Sequence, residues 1–139
     1  MSINAENNKA IVRRFNKECI EEGRMESFEE LLAEDAINHS AQPGAPNGPE
    51  SFYHFLNDIL RKAFSELRVE ILEQVAENDL VTTRKKIYGK HSGQLFDIPP
   101  TNKNVIIHVI DIIRLKDGRY AEHWGQSNFS DIVQQLKHQ

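Results

Sequence analysis

One carboxylate lies inside the most apolar stretch of this 139-residue chain. Residues 105–114 read VIIHVIDIIR, which places Asp111 in a strand of β-branched residues. A buried carboxylate is costly unless something pairs with it or a reaction uses it. Two interpretations stay open: a neutral acid that donates a hydrogen bond in a dry pocket, or a carboxylate that accepts hydrogen bonds from Trp124 or a tyrosine.

Other side chains that could do chemistry are scattered along the chain. His39 follows a short apolar piece, and an imidazole there would exchange protons near neutral pH or else cap a loop. His91, at a predicted strand end, would line a pocket rim or lie in a solvated turn. Trp124 offers a wall for a flat ligand or fills the core, and Glu122 pairs with a nearby arginine or faces the ligand.

The hairpin that follows Asp111 decides which of these groups meet. Asp117 and Gly118 are typical of a tight turn, because such turns require positive φ. A two-residue loop pairs Asp111 with Trp124, whereas a three-residue loop with a bulge pairs it with His123. The local sequence leaves both registers open.

Periodicity and turn residues predict the elements that carry this hairpin. Helical patterns and then alternating strands favour an α+β fold, a bent sheet with helices on one side and room for a small molecule. The predicted elements are helices over 5–22, 25–33, 51–64 and 129–136, an extended piece at 36–39, a hairpin over 67–91 and the hairpin described above over 105–128.

Length and composition limit the functional classes. The chain of 139 residues fits a single domain, 1–139, and its formal charge of −4 with no basic run argues against nucleic acid. The sequence has no stretch that would span a bilayer and no signal peptide, so a cytoplasmic location is expected. Cys19 is expected in the core, and no His or Cys spacing predicts a metal site or a cofactor.

Several short motifs, in their order along the chain, carry a resemblance to a known family. They are the helix end at Glu22-Gly23, Asp35 to His39 (DAINH), Gly48 to Glu50 (GPE), Glu77 to Val81 (ENDLV), His91 to Gly93 (HSG), Ile98 to Thr101 (IPPT), Asp117 to Arg119 (DGR) and Glu122 to Trp124 (EHW). Together they are similar to the SnoaL-like polyketide cyclases of the NTF2-like superfamily. The resemblance implies an NTF2-like cone, a curved antiparallel sheet with helices packed on its concave side around a pocket.

The resemblance also implies a register and a site. It implies an acid/base Asp at the position of Asn128, and Val109 to Asp111 is similar to a cavity-facing strand of ketosteroid isomerase. The two-residue loop is the register that puts Asp111 and Asn128 on one face. The implied catalytic set is His39, Asp111 and Asn128, although an asparagine cannot exchange a proton near neutral pH. The implied binding residues are Phe15, His91, Ile107, Val109, Glu122, Trp124 and Gln126.

Two functions follow as hypotheses. The first is a cofactor-free cyclase or isomerase that acts by acid/base chemistry on an enolisable ketone or ester. The second is a non-catalytic module that binds a small hydrophobic ligand or a partner chain. The expected ligand is a small hydrophobic or polycyclic molecule. A homodimer is also predicted, because Ile106, Ile110 and Ile112 would leave an apolar patch on the sheet face away from the pocket.

Overall fold

A five-stranded sheet and four helices make up the part of the chain that the computed structural model describes, residues 2–138. Helix α1 (Ser2–Phe15) continues as a wider π-helical segment (Asn16–Glu21). Helix α3 consists of three consecutive segments: an α-helical segment (Pro49–Tyr53), a π-helical segment (His54–Leu60) and a last α-helical turn (Arg61–Ala63). The other elements are α2 (Met25–Leu31), α4 (Phe129–Lys137), β1 (Leu32–Asn38), β2 (Phe64–Glu77), β3 (Leu80–His91), β4 (Asn104–Lys116) and β5 (Arg119–Ser127). None of the described helices is both long and apolar enough to cross a bilayer.

The sheet has the strand order β1-β5-β4-β3-β2, so β4 is its middle strand. The β2–β3, β3–β4 and β4–β5 pairs are antiparallel, as predicted, whereas β1 runs parallel to β5. The α+β prediction is therefore confirmed, and the expectation of a wholly antiparallel sheet is corrected at one edge. The parallel pair is possible because a helix and the three strands β2, β3 and β4 lie between β1 and β5 along the chain, which is long enough for a crossover connection.

Local turn chemistry explains where these elements end. Gly23 follows the first helical segment with φ +66°, the left-handed conformation that ends helices. Asn78 takes φ +57° in the turn between β2 and β3, a conformation that asparagine tolerates well. Both breaks agree with the sequence-based prediction to within a few residues.

The period of two in β4 separates a buried face from an exposed face. Ile107, Asp111 and Ile113 are buried, whereas Ile106 and Ile110 on the opposite face are exposed. We call these the inner and outer faces of the sheet. Helix α1 packs against β2 and β3 on the side of the core. The inner face is therefore where a polar group must find a partner inside the protein.

The β4–β5 hairpin has the predicted two-residue turn. Asp117 and Gly118 both have positive φ, 53° and 76°, and Leu115 lies opposite Tyr120. Beyond that pair, Ala121 forms a bulge that adds one residue to β5. Such a bulge changes the pairing of everything that follows it.

The bulge makes both predicted registers wrong beyond the first pairs. Asp111 lies opposite Gly125, neither opposite Trp124 nor opposite His123. Because directly opposed residues share a face, Trp124, paired with Ile112, is on the outer face. His123, paired with the buried Ile113, is on the inner face.

Candidate functional site

A buried polar cluster lies on the inner face around Asp111. The ammonium Nζ of Lys85 lies 3.2 Å from Asp111 Oδ2 and donates to Asn16 Oδ1 at 2.6 Å. Asn16, the first residue of the π-helical segment after α1, in turn donates from Nδ2 to the Val12 carbonyl at 2.8 Å. Asn16, Lys85 and Asp111 are each at most 5% exposed. The cluster thus joins the first helix to β3 and β4 through a buried ion pair.

His123 completes this cluster from β5. Its Nε2 lies 3.7 Å from Asp111 Oδ2, and its Nδ1 lies 2.9 Å from Asn38 Oδ1. Asn38 Oδ1 also accepts the Ser40 backbone N–H at 3.0 Å, which identifies it as an acceptor. Nδ1 of His123 is therefore the protonated nitrogen, and Nε2 is the nitrogen that faces Asp111.

Gly125 leaves the space that the His123 ring occupies. A Cβ atom at this position would lie 2.9 Å from His123 Cε1 and 3.6 Å from Asp111 Cβ. The first distance is shorter than side chains tolerate, so a larger residue would displace the imidazole. The glycine opposite Asp111 thus allows the histidine and the carboxylate to lie side by side.

The charge state of Asp111 follows from two opposing effects. Burial by itself would raise the pKa of this carboxyl, but Lys85 and His123 outweigh it and hold the pKa below its ordinary value. Asp111 is therefore a carboxylate at neutral pH, which argues against the neutral acid considered from the sequence. Its Oδ1 is buried and has no hydrogen-bond partner among the described residues.

A second polar group lies on the outer face. His39 Nε2 is 2.8 Å from Glu122 Oε2, and the His39 ring stacks on Trp124 at 4.7 Å between centroids. Arg114 Nε donates to Glu122 Oε1 at 2.8 Å. The hydrogen bond from His39, followed by that from Arg114, lowers the pKa of Glu122. His39, Glu122 and Trp124 do meet, but across the sheet from Asp111.

Asn128 lies apart from both groups, at the start of α4. Its side-chain Oδ1 accepts the His108 backbone N–H at 2.8 Å, and its own N–H donates to the His108 carbonyl at 3.2 Å. This asparagine therefore extends the backbone pairing of β4 instead of facing Asp111. Gln126, expected in the pocket, is exposed on the outer face.

The remaining candidates from the sequence lie in or beside the core. Phe15 stacks on Tyr120 with ring centroids 4.1 Å apart, and Ile107 is buried on the inner face. Val109 is half-buried on the same face. His91 is fully buried, so its predicted place at a rim is corrected.

The sequence-based reasoning missed Lys85 and Asn16, and the two-residue-loop register that the resemblance implies would put His123 on the face opposite to Asp111, which is wrong. A signal for Lys85 was present, since Val81, Thr83, Lys85 and Ile87 occupy alternate positions of one strand and the period of two puts all four on the buried face. Asn16 and Asn38 gave no comparable signal, because their partners come from distant parts of the chain.

His91 is held in its neutral form by the geometry around it. Its Nδ1 accepts the Thr101 backbone N–H at 3.2 Å and lies 2.9 Å from Thr101 Oγ1. The proton is therefore on Nε2, which is buried without a partner among the described residues. Burial lowers the pKa of His91 below its ordinary 6.5.

We expect stability to fall with acid because of His91. The unfolded chain takes up a proton on this side chain below pH 6.5, whereas the folded chain resists protonation until a lower pH. The stabilisation that the neutral His91 contributes to the folded state is fully present above pH 6.5, and it is lost as the pH falls through the folded-state pKa. Urea unfolding between pH 7.5 and 5 should therefore show a weaker pH dependence in His91→Gln than in wild type. The same substitution at the exposed His138 gives the control. If the free energy of unfolding of His91→Gln changed with pH as steeply as that of wild type, the neutral state assigned to His91 would be contradicted.

Of two surface clefts, one adjoins the outer group, and neither is lined by Lys85, Asp111 or His123. One of about 210 Å³ lies on the outer face, lined by His39, Ile110, Ile112 and Trp124 among others. The other, of about 300 Å³, lies between α2, β1 and the start of α3 and includes Phe28 and Tyr53. Within residues 2–138, no three His, Cys, Asp or Glu side chains are grouped so that they could hold a metal ion.

Comparison with known families settles the family of the chain. Residues 10–136 match the family model described as SnoaL-like polyketide cyclase. The chain belongs to this family. The match includes every residue of the inner cluster and the whole of the outer group.

Curated relatives and solved structures agree with this assignment. The chain is 28% identical over 129 residues to the aklanonic acid methyl ester cyclase DnrD of Streptomyces peucetius, covering 91% of this chain and 88% of the relative. It is 24% identical over 115 residues to the nogalonic acid methyl ester cyclase of Streptomyces nogalater, covering 82% and 86%. The structure of TsrD from Streptomyces laurentii superposes with a TM-score of 0.81 at 20% identity, over 94% of this chain and 95% of that one. The predicted NTF2-like fold is thereby confirmed.

Proposed function

We propose that this family member is a cofactor-free cyclase or isomerase of an enolisable ketone or ester, with His123 and Asp111 as its proton-transfer pair. The observation that supports the proposal most directly is the buried Asp111 carboxylate, whose Oδ1 lacks a partner among the described residues and whose Oδ2 lies 3.7 Å from His123 Nε2. Perturbed, paired titratable groups of this kind are characteristic of catalytic sites.

The proposed ring closure is an intramolecular aldol addition. A base removes the proton from a carbon next to a carbonyl, and the resulting enolate carbon forms a bond to a second carbonyl carbon. The oxygen of that carbonyl becomes an alkoxide and takes up a proton. No atom is gained or lost overall, so the product is an isomer of the substrate.

The inner cluster has groups suited to both proton transfers. His123 Nε2, the ring nitrogen without a proton, takes the proton from the substrate carbon and gives it to the alkoxide, and Asp111 stabilises the imidazolium formed in between. Asn38 keeps the other ring nitrogen protonated and fixes the ring plane. Lys85 keeps Asp111 ionised in spite of its burial. The His123 side chain is 21% exposed, whereas that of Asp111 is 6% exposed, so a substrate would approach from the histidine.

The names of the relatives suggest the substrate class. The two curated relatives are cyclases of nogalonic acid and aklanonic acid methyl esters. We propose a small hydrophobic or polycyclic ketone ester of this kind for the present chain. The outer group of His39, Glu122 and Trp124 takes no part in this proposal, because the sheet lies between it and Asp111.

Incubation with these two methyl esters tests the proposal. We expect a product of unchanged mass and altered chromatographic retention, formed without added metal or cofactor. In D₂O, we also expect deuterium to enter the substrate at the carbon next to its carbonyl, because enolisation exchanges that proton. Saturable binding of the esters with neither deuterium exchange nor product would instead favour the non-catalytic binding module.

A further inference from the structure

One aromatic side chain packs directly on the histidine of the inner cluster. The Phe52 ring contacts the His123 ring with centroids 5.6 Å apart and planes at 70°, and Phe52 is 6% exposed. The edge of the imidazole has other neighbours: Asn38 at Nδ1, Asp111 beside Nε2 and the Gly125 backbone next to Cε1. A flat molecule that packs on this imidazole therefore has to take the place of the phenyl ring.

The position of Phe52 conflicts with the room that a substrate needs. Neither of the two surface clefts is lined by His123 or Asp111. Proton transfer requires the substrate carbon within hydrogen-bond reach of the base, so a ketone ester has to enter the space beside His123. The site as it stands is closed, and a movement near Phe52 is required to open it.

The helical segment that carries Phe52 is held in place without polar contacts. Among the described residues, no hydrogen bond or ion pair links Pro49–Tyr53 to another helix or to the sheet. The exposed loop of residues 42–47 precedes it, with Gly44 at φ +83°, and the π-helical segment His54–Leu60 follows it. Hinges lie in such loops and element ends, and π-helical turns often mark functional sites. The segment can thus shift as a unit without breaking a polar contact to its surroundings.

Open space lies on another side of the same segment. Pro49, Glu50 and Tyr53 line the cleft of about 300 Å³, and residues of α2 and β1 form its other walls. Phe52 is buried in the core instead, on a different side of the helix. A shift or rotation of the segment into this cleft carries the phenyl ring off the imidazole.

We propose that Phe52 is the gate of the inner site and limits the size of the substrate that reaches His123. Movement of Pro49–Tyr53 into the cleft withdraws the phenyl ring, and the flat body of the ketone ester takes its place. Phe52 thus determines specificity without taking part in proton transfer. The admission of a substrate rests on the proposed function, whereas the movement of the segment does not.

Chemical labelling of His123 measures the gate without any substrate. Diethyl pyrocarbonate acylates an unprotonated imidazole nitrogen, which in His123 is Nε2. F52L and F52A should be labelled at His123 about tenfold faster than wild type, because the reagent no longer waits for the ring to move. F55A is the matched control, since Phe55 lies on the same helix, is 36% exposed and packs on Phe129. Wild-type rates at His123 in both Phe52 variants would overturn the proposal.

Removal of a buried ring also weakens core packing, so the labelling needs an internal standard. The fully buried His91 provides it, and mass spectrometry of the same digest measures both histidines. The labelling rate of His91 should stay at its wild-type value in F52L and F52A. An equal rise at His91 and His123 would mean that the whole fold has loosened, and it would count against the gate.

A substitution in the cleft separates movement of the segment from simple cover by the ring. Ala33 of β1 is half-buried and lines the cleft. A33F fills the space that the segment needs and leaves Phe52 in place, so His123 should be labelled at least about threefold more slowly than in wild type. A ring that covered His123 without moving would give the same rate in A33F and wild type. An equal or faster rate in A33F would therefore refute the movement.

Turnover distinguishes a failed gate from a failed function. In an active enzyme, A33F should lower kcat/KM for the methyl ester substrates at least about threefold, because the closed gate slows substrate entry. An unchanged kcat/KM would overturn the role of Phe52 in admission. If labelling follows the expected order but wild type neither cyclises the esters nor exchanges their protons, the proposed function fails while the movement of the segment stands.

Discussion

Replacing Lys85 by methionine is expected to lower the free energy of unfolding by about 3–5 kcal/mol, because it leaves the buried Asp111 carboxylate without its counter-charge. Lys85 is 4% exposed and also donates to Asn16, so its loss leaves a second buried acceptor unpaired. Urea unfolding monitored by circular dichroism measures the difference. The neighbouring Lys86, which projects from the outer face, provides the control, and Lys86→Met should change stability by less than about 0.5 kcal/mol.

A double variant separates the ion pair from simple packing. Lys85→Met combined with Asp111→Leu removes both charges, so much of the loss should be recovered. Additive effects of the two single changes would contradict the proposed pairing. For the same reason Asp111→Asn, which preserves the shape of the side chain but leaves the Lys85 ammonium unpaired, should destabilise the fold.

Replacing His123 by glutamine is expected to reduce turnover of a methyl ester substrate by about a hundredfold or more while the protein stays folded. Glutamine can keep a hydrogen bond to Asn38 but cannot exchange a proton near neutral pH. His39→Gln is the matched control, since His39 is exposed and lies across the sheet from Asp111. It should leave turnover within about threefold of wild type, which is within the scatter expected for a remote surface change.

Deuterium exchange at the substrate α-carbon gives a second readout for the same pair of variants. Loss of exchange in His123→Gln, with ligand binding retained, would place the defect in proton transfer. A large loss in His39→Gln with little loss in His123→Gln would move the site to the outer face. That result would support His39, a catalytic residue implied by the family resemblance, as the base.

The sequence predicts the elements well because their ends depend on local chemistry. Gly23, Asn78 and the Asp117–Gly118 pair each adopt a positive φ where an element must stop or reverse. The alternation along β4 likewise predicts that Asp111 and Ile107 face the core. These features require no knowledge of distant contacts.

The candidate site depends on contacts that local chemistry does not specify. Lys85 and Asp111 lie on different strands, and Asn16 reaches them from a helix 69 residues away from Lys85 along the chain. No glycine or proline at Ala121 indicates a bulge in the sequence, yet the bulge determines which residues of β4 pair with the rest of β5. The prediction was therefore correct for the pairs next to the turn, up to Leu115 with Tyr120, and wrong for the face on which the β5 candidates Glu122, Trp124 and Gln126 lie.

The bulge has an evolutionary consequence. Side chains alternate across a strand, so if Ala121 paired with Arg114 and no bulge formed, His123 would turn to the outer face and Glu122 and Trp124 would turn toward Asp111. Deletion of Ala121 would not have this effect, because Ala121 is the residue that the bulge adds and the pairs beyond it would stay as they are. In relatives, equivalent positions of this strand therefore face the buried ion pair only where the bulge is kept, whatever residues occupy them.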